Sequence, residues 1–220
     1  SASARRIAQV IETEQDLTVK SQDDFPPVKT SAHIKFDNVR FSYAGGQDDL
    51  SDISFEVKRG GSLGIIGATG SGKTTLISLL MRFYDVQGGA VYINGRDIRT
   101  YPQKPFHEMF GVAMQSDFIY SATIEENIRF GRNLSREQIV NAAKIAQAHD
   151  FISAFDDGYG HMLSQKGTNV SGGQRQRILI ARAVAANPQI LVLDDSSSAL
   201  DYKTDASLRR ALAENMKDST

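Results

Sequence analysis

Apolar residues follow two rhythms along this chain. From His33, the alternation Ile34, Phe36 and then Val39, Phe41, Tyr43 predicts strand, with the change of phase at Asp37-Asn38 read as a turn. Residues 53–57 predict a second strand, and the apolar run SLGII at 62–66 a third, buried one. Leu76, Leu79, Leu80 and Phe83 then recur at helical spacing and predict a helix over 73–84. Residues 90–93 followed by Asn94-Gly95 predict a hairpin. Further on the rhythm turns helical. Thr123 with Glu126, and Ser135 with Gln138, have capping-box spacing and predict helix starts, continued by 142–155. A long helix is predicted from Ser171 to about Ala186, where Asn187-Pro188 stops it. Residues 190–193 are wholly apolar, as in a parallel strand covered on both faces, and 204–216 form an amphipathic helix. At the other end, Ile7, Val10 and Ile11 mark a short polar helix, and 21–30, with Asp23, Asp24, Pro26 and Pro27, a linker. The mixture predicts one α/β domain with an inserted helical lobe.

Composition narrows the chemistry. The 220 residues contain no cysteine, which excludes disulfides, thiolate catalysis and cysteine-ligated zinc. Twenty-five basic residues against 26 acidic ones leave no overall field directed at nucleic acid or anionic lipid. No apolar run approaches the roughly 20 residues that span a bilayer. The chain opens on Ser1 rather than Met, as a fragment or a processed protein would.

Three motifs carry the chemistry. GATGSGKT, from Gly67 to Thr74, follows an apolar run and precedes a helix, the context of a phosphate cradle. Gly67, Gly70 and Gly72 let backbone N–H groups turn inward around phosphate oxygens. Lys73 would neutralise the outer phosphates, the Thr74 hydroxyl would ligate Mg²⁺, and the helix adds its positive N-terminus. VSGGQ, from Val170 to Gln174, puts Ser171 and Gln174 at capping-box spacing and bares backbone N–H groups at Gly172-Gly173. That is either a second anion-binding helix start or simply a capped helix with a solvated basic face. ILVLDD delivers Asp194 at the end of an apolar strand, where a parallel sheet binds ligands, so that Asp194 would hold Mg²⁺ opposite Thr74. Asp195 and Asp201 read equally as turn caps.

In this order, GATGSGKT, VSGGQ and ILVLDDSSSALD resemble the nucleotide-binding domain of an ATP-binding cassette protein from about His33 onward. The resemblance implies a P-loop NTPase fold: a RecA-like, mostly parallel core, an N-terminal antiparallel β subdomain, and a helical lobe over about 116–178. Residues 1–32 would be the linker and 33–220 the domain. It implies ATP and Mg²⁺ as ligands, contacted by Gly67, Thr69, Gly70, Ser71, Gly72, Lys73, Thr74 and Thr75, with Mg²⁺ on Thr74, Gln115 and Asp194. Tyr43 is similar to the aromatic residue that stacks on adenine, though it also reads as a strand aromatic. Gln115 is similar to the glutamine that reaches Mg²⁺ and the attacking water, and otherwise reads as a surface amide. Ser171, Gly172, Gly173 and Gln174 would act on a partner's ATP, and the loop ending in Asp201 would cross to that partner. FIYSATIEENI and the opening SASARRIAQVIETE resemble exporters, in which the cassette follows a membrane domain and works at the cytoplasmic face of the membrane.

Several positions depart from the family pattern. Asp195 stands where the family's catalytic base is Glu, as in the degenerate half of heterodimeric exporters, which implies a slow site beside a different, active partner subunit. Gln165 and Lys166 replace two glutamates, and Val170 replaces Leu. The family's switch histidine and last strands would lie beyond Thr220, and His33, His107, His149 and His161 are in the wrong regions to replace that histidine. A domain that binds without hydrolysing, and a soluble cassette ATPase acting on DNA or ribosomes, are the two other functions open to this sequence. The neutral charge and the absence of a basic stripe speak against the second.

Overall fold

The computed structural model describes residues 2–12, 17–43, 46, 48–114, 118–195 and 198–220. Helix α1 (Ala2–Glu12) opens the chain. Strands β1 (Ala32–Phe41) and β2 (Leu50–Lys58) pair antiparallel, with Phe36 stacked on its cross-strand partner Phe55 at 4.6 Å. Helix α2 (Lys73–Leu80) follows, then β3 (Gly88–Ile93) and β4 (Arg96–Asp97), which complete a four-stranded sheet in the order β2-β1-β3-β4. Short α3 (Gln103–His107) leads into β5 (Phe110–Ala113). Helices α4 (Ile124–Arg129), α5 (Arg136–Ile145), α6 (His149–Ser153) and α7 (Gly172–Ala185) precede β6 (Ile190–Leu193), which pairs parallel with β5, and α8 (Tyr202–Asn215).

The predicted turn at Asp37-Asn38 is a β-bulge. Strand β1 runs on through it, with its register shifting between Phe36 and Val39 and Asn38 at φ +48°. Side chains alternate with period two, so without an extra residue Val39 and Phe41 would face away from Ile34 and Phe36. With it, all four are buried in the same core. The hairpin at Asn94-Gly95 forms as predicted, both residues at positive φ as a tight two-residue turn requires.

The run at 62–66 is not in a ladder. Leu63, Ile65 and Ile66 are exposed, Ile66 at 98%. A strand forms only where a neighbour offers its N–H and C=O groups, and none of the described strands lies beside this one. The second edge of β6 is met instead by Thr220: Leu191 N donates to Thr220 O and Thr220 N to Gln189 O. Between that edge and residues 63 and 65 lies a cavity of about 790 Å³. Helix α2 also stops earlier than predicted, at Leu80, because Arg82 turns to φ +53°, ion-paired to Asp85, and leaves Phe83 exposed.

The pair β5-β6 separates two cores. Ile190 and Val192 pack with Leu76, Leu79 and the β1-β3 face, while Leu191 packs towards the helical lobe of Ile124, Ile128, Ile139, Ile152 and Ile178. That is the two-sided covering the apolar sequence of β6 predicts. Among the described residues no helix is long and apolar enough to cross a membrane.

Candidate functional site

The glycine loop connects residues 62–66 to α2. Gly72 caps the helix at φ +87°, a left-handed conformation that favours glycine, and a Cβ there would also press on the Leu50 side chain, 2.7 Å from its Cδ2. Lys73 Nζ donates to Gly67 O at 2.7 Å and Ala68 O at 2.8 Å. Its ammonium is thus held inside the curl of the loop, over the backbone that would surround an anion. Thr74 Oγ1 lies 3.4 Å from Asp194 Oδ2, across 120 residues of sequence, at the carboxyl end of β6. Gly67, Thr69, Gly70, Gly72, Lys73, Thr74, Thr75, Asp194 and Asp195 all line the one cavity, so the first and third motifs form one site. Ser71 closes the loop, its N–H donating to Ala68 O.

Tyr43 is 52% exposed, just past the end of β1. Its N–H donates to Asp49 Oδ2, and its hydroxyl lies 3.3 Å from Thr75 Oγ1 on α2. Its ring meets Phe41 and Tyr84 edge-on, at 4.9 and 5.1 Å. The strand end therefore delivers an aromatic residue to the first turn of α2. Gln115 lies outside the described residues.

Helix α7 begins as VSGGQ predicts: Ser171 Oγ accepts from Gln174 N, and Gln174 Oε1 from Ser171 N, at 3.2 and 2.9 Å. Val170, the residue that replaces Leu, packs against the lobe core. Asp201 caps α8, its two oxygens accepting from Thr204 N at 3.0 Å and Thr204 Oγ1 at 2.7 Å. These hydrogen bonds, the hydroxyl's first, hold its carboxyl below the usual range. The histidines are packing residues or rim residues: His33 is buried, His107 contacts Phe83 and Phe106, His149 contacts Tyr159, and His161 stacks on Phe155.

Three polar residues that the motifs do not flag organise the surroundings. Buried Arg182 on α7 donates to Asn127 O at 2.8 Å, Phe118 O at 2.8 Å and Asn127 Oδ1 at 3.0 Å. Buried Asn127 in turn holds Tyr120 through both its N–H and its carbonyl. Gln176 bonds to both Asp195 and Ala199. The available signal was a lone cation within the apolar run ILIARAVA and a lone amide among the apolar positions of α4.

A glycine loop curled around a lysine, a helix behind it and a threonine facing a strand-end aspartate define a P-loop nucleotide-binding protein. Residues 50–198 match the family model described as ABC transporter, and the chain belongs to that family. It is 42% identical over 225 residues to the uncharacterized ABC transporter ATP-binding protein YknU of Bacillus subtilis (strain 168), covering 100% of this chain and 38% of that protein. It is 41% identical to ATP-binding cassette sub-family B member 6 of Xenopus tropicalis, over 90% of this chain and 24% of that one. A solved bacterial Atm1-family ABC exporter with ATP bound superposes with a TM-score of 0.89 at 32% identity, covering all of this chain and 38% of that one. The chain thus spans well under half the length of these relatives.

Proposed function

We propose that this chain is the ATP-hydrolysing domain of an exporter, working at the cytoplasmic face of a membrane in a head-to-tail dimer with a second nucleotide-binding domain on a different subunit. The observation that carries this reading is the convergence of Lys73, Thr74 and Asp194 on one cavity. A triphosphate would take the place of the Gly67 and Ala68 carbonyls at Lys73 Nζ, and the loop's N–H groups would bind its oxygens. Thr74 and Asp194 fit Mg²⁺, which when bound would neutralise phosphate charge. Among the described residues no cluster of three acidic or histidine ligands exists, and Mg²⁺ characteristically takes few protein ligands alongside substrate phosphates and water. Gln115 would be a further ligand. The membrane domain and partner subunit belong to this proposal, supported by the likeness to a solved exporter.

Tyr43 would stack on adenine. Tyr43→Ala is expected to weaken ATP and GTP alike by about 1–3 kcal/mol, because either base offers a π-face. Tyr43→Phe, which loses only the long contact to Thr75, is expected to change affinity little. Fluorescent-nucleotide titration checks both, and an unaltered affinity in Tyr43→Ala returns the residue to a packing role.

Asp195 would polarise the attacking water from this chain's side. Its carboxylate is one methylene shorter than glutamate, a displacement of roughly 1 Å that can cost about a hundredfold in rate. This site would therefore bind ATP and turn over slowly, while Ser171, Gly172, Gly173 and Gln174 complete the partner's site and the Asp201 loop lies between the two. In the full-length complex, Asp195→Glu is expected to raise hydrolysis at this site about tenfold to a hundredfold, and Asp195→Asn to change total turnover little. Fast turnover that collapses in Asp195→Asn would make this Asp a competent base and end the slow-site reading.

A further inference from the structure

The start of α7 carries a side chain that reaches back into its own subunit. Gln176 Nε2 donates to Asp195 O at 3.0 Å, and its Oε1 accepts from Ala199 N at 3.2 Å. One amide thus spans the segment that leaves β6, from the carboxylate residue to the loop that ends in Asp201. The same Asp195 carbonyl accepts from Ser198 Oγ at 3.0 Å. Asp195 sits at φ +49°, a left-handed conformation that Asp tolerates better than most L residues. The helix start also fits against this loop. A Cβ on Gly173 would stand 3.0 Å from Ala199 O, and one on Gly172 3.7 Å from Ala199 Cβ. Leu200 packs onto the lobe core from the same loop.

We propose that Gln176 is a positioning residue: it joins the backbone of Asp195 and the 198–201 loop to the start of α7. This chain's own carboxylates and the Ser171–Gln174 helix start then move as one piece. The proposal rests on the reading that these two features serve different ATP molecules in a dimer. Under that reading the bridge makes closure at one ATP and closure at the other a single event, which is coupling between sites through a rigid element. A primary amide suits the task because it offers donor and acceptor in one fixed fork without bringing charge beside the carboxylates.

The test uses the full-length protein assembled with its second nucleotide-binding domain. Hydrolysis is measured against Mg-ATP concentration, and affinity by fluorescent ATP titration. Gln176→Ala is expected to leave affinity within about twofold and lower kcat about tenfold or more, since misplacements near 1 Å cost up to about a hundredfold. Its Hill coefficient is expected to fall towards one. Gln176→Glu keeps the shape and the acceptor for Ala199 N but loses the donor to Asp195 O. It is expected to show the same split, and it carries the test if Gln176→Ala does not fold. Unchanged kcat and Hill coefficient in either folded variant overturn the proposal. So does a loss of affinity in step with kcat, the mark of a merely structural role. Lys73→Ala, measured alongside, separates the two levels. If it binds ATP normally, the nucleotide site itself is misread and the inference falls with it. If it loses ATP while the Gln176 variants match wild type, only the positioning role fails.

Discussion

Lys73→Ala is expected to weaken ATP binding by about 2 kcal/mol or more, roughly thirtyfold, because charge-assisted contacts to phosphate are about twice as strong as neutral ones. The ammonium already sits within hydrogen-bonding distance of two loop carbonyls, Gly67 O and Ala68 O, so little reorganisation separates this arrangement from one in which it meets an anion. Adenosine, which lacks phosphates, separates loss of charge from loosening of the loop: its affinity is expected to stay within about twofold in the variant. Equal ATP affinities in folded wild type and Lys73→Ala would remove the phosphate assignment. Equal losses for ATP and adenosine would make Lys73 a brace for the loop instead.

Arg182→Ala is expected to cost about 3–4 kcal/mol of folding stability, read as a lowered urea midpoint. Hydrogen bonds from a charged donor contribute about 1.5–3 kcal/mol each, and truncation removes three of them, including the buried one to Asn127 O. The guanidinium also lies 4.6 Å from the centre of the Phe130 ring. Arg182→Lys is expected to recover less than half of the loss, since an ammonium cannot fork to three acceptors in different directions. A cost below about 1 kcal/mol for Arg182→Ala would show that the network is not what joins α7 to the 118–123 segment.

Local signals proved reliable here because their physics is local. The capping boxes at Thr123, Ser135 and Ser171 form as their three-residue spacing demands, and so does the hairpin at Asn94-Gly95. Residues 62–66 show the limit: apolarity says that a segment wants cover, but a ladder needs a neighbouring strand that no local pattern supplies. The bulge at Asp37-Asn38 illustrates another ambiguity, since a change of phase looks the same whether the chain turns or gains one residue. The Thr74–Asp194 meeting spans 120 residues and was legible only through the two motifs that carry it. Arg182 and Gln176 were not legible. Their partners lie 19 to 64 residues away, and a polar residue in a helix does not reveal which carbonyl it will find.

The segment between α1 and β1 reads in sequence as a slack connector, yet its described residues, 17–31, are fastened down. Arg82 donates to Thr18 O, Lys20 N to Arg99 O and Val28 N to Gly95 O, while the Arg99 guanidinium lies 4.3 Å from the centre of the Phe25 ring. The first of these anchors comes six residues after the end of α1 at Glu12, at most about 20 Å of extended chain. Arg82 grips the tether with the same guanidinium that holds Asp85, immediately after the helix that begins at Lys73 and Thr74. The linker's first anchor and the far end of the phosphate-loop helix therefore share one guanidinium.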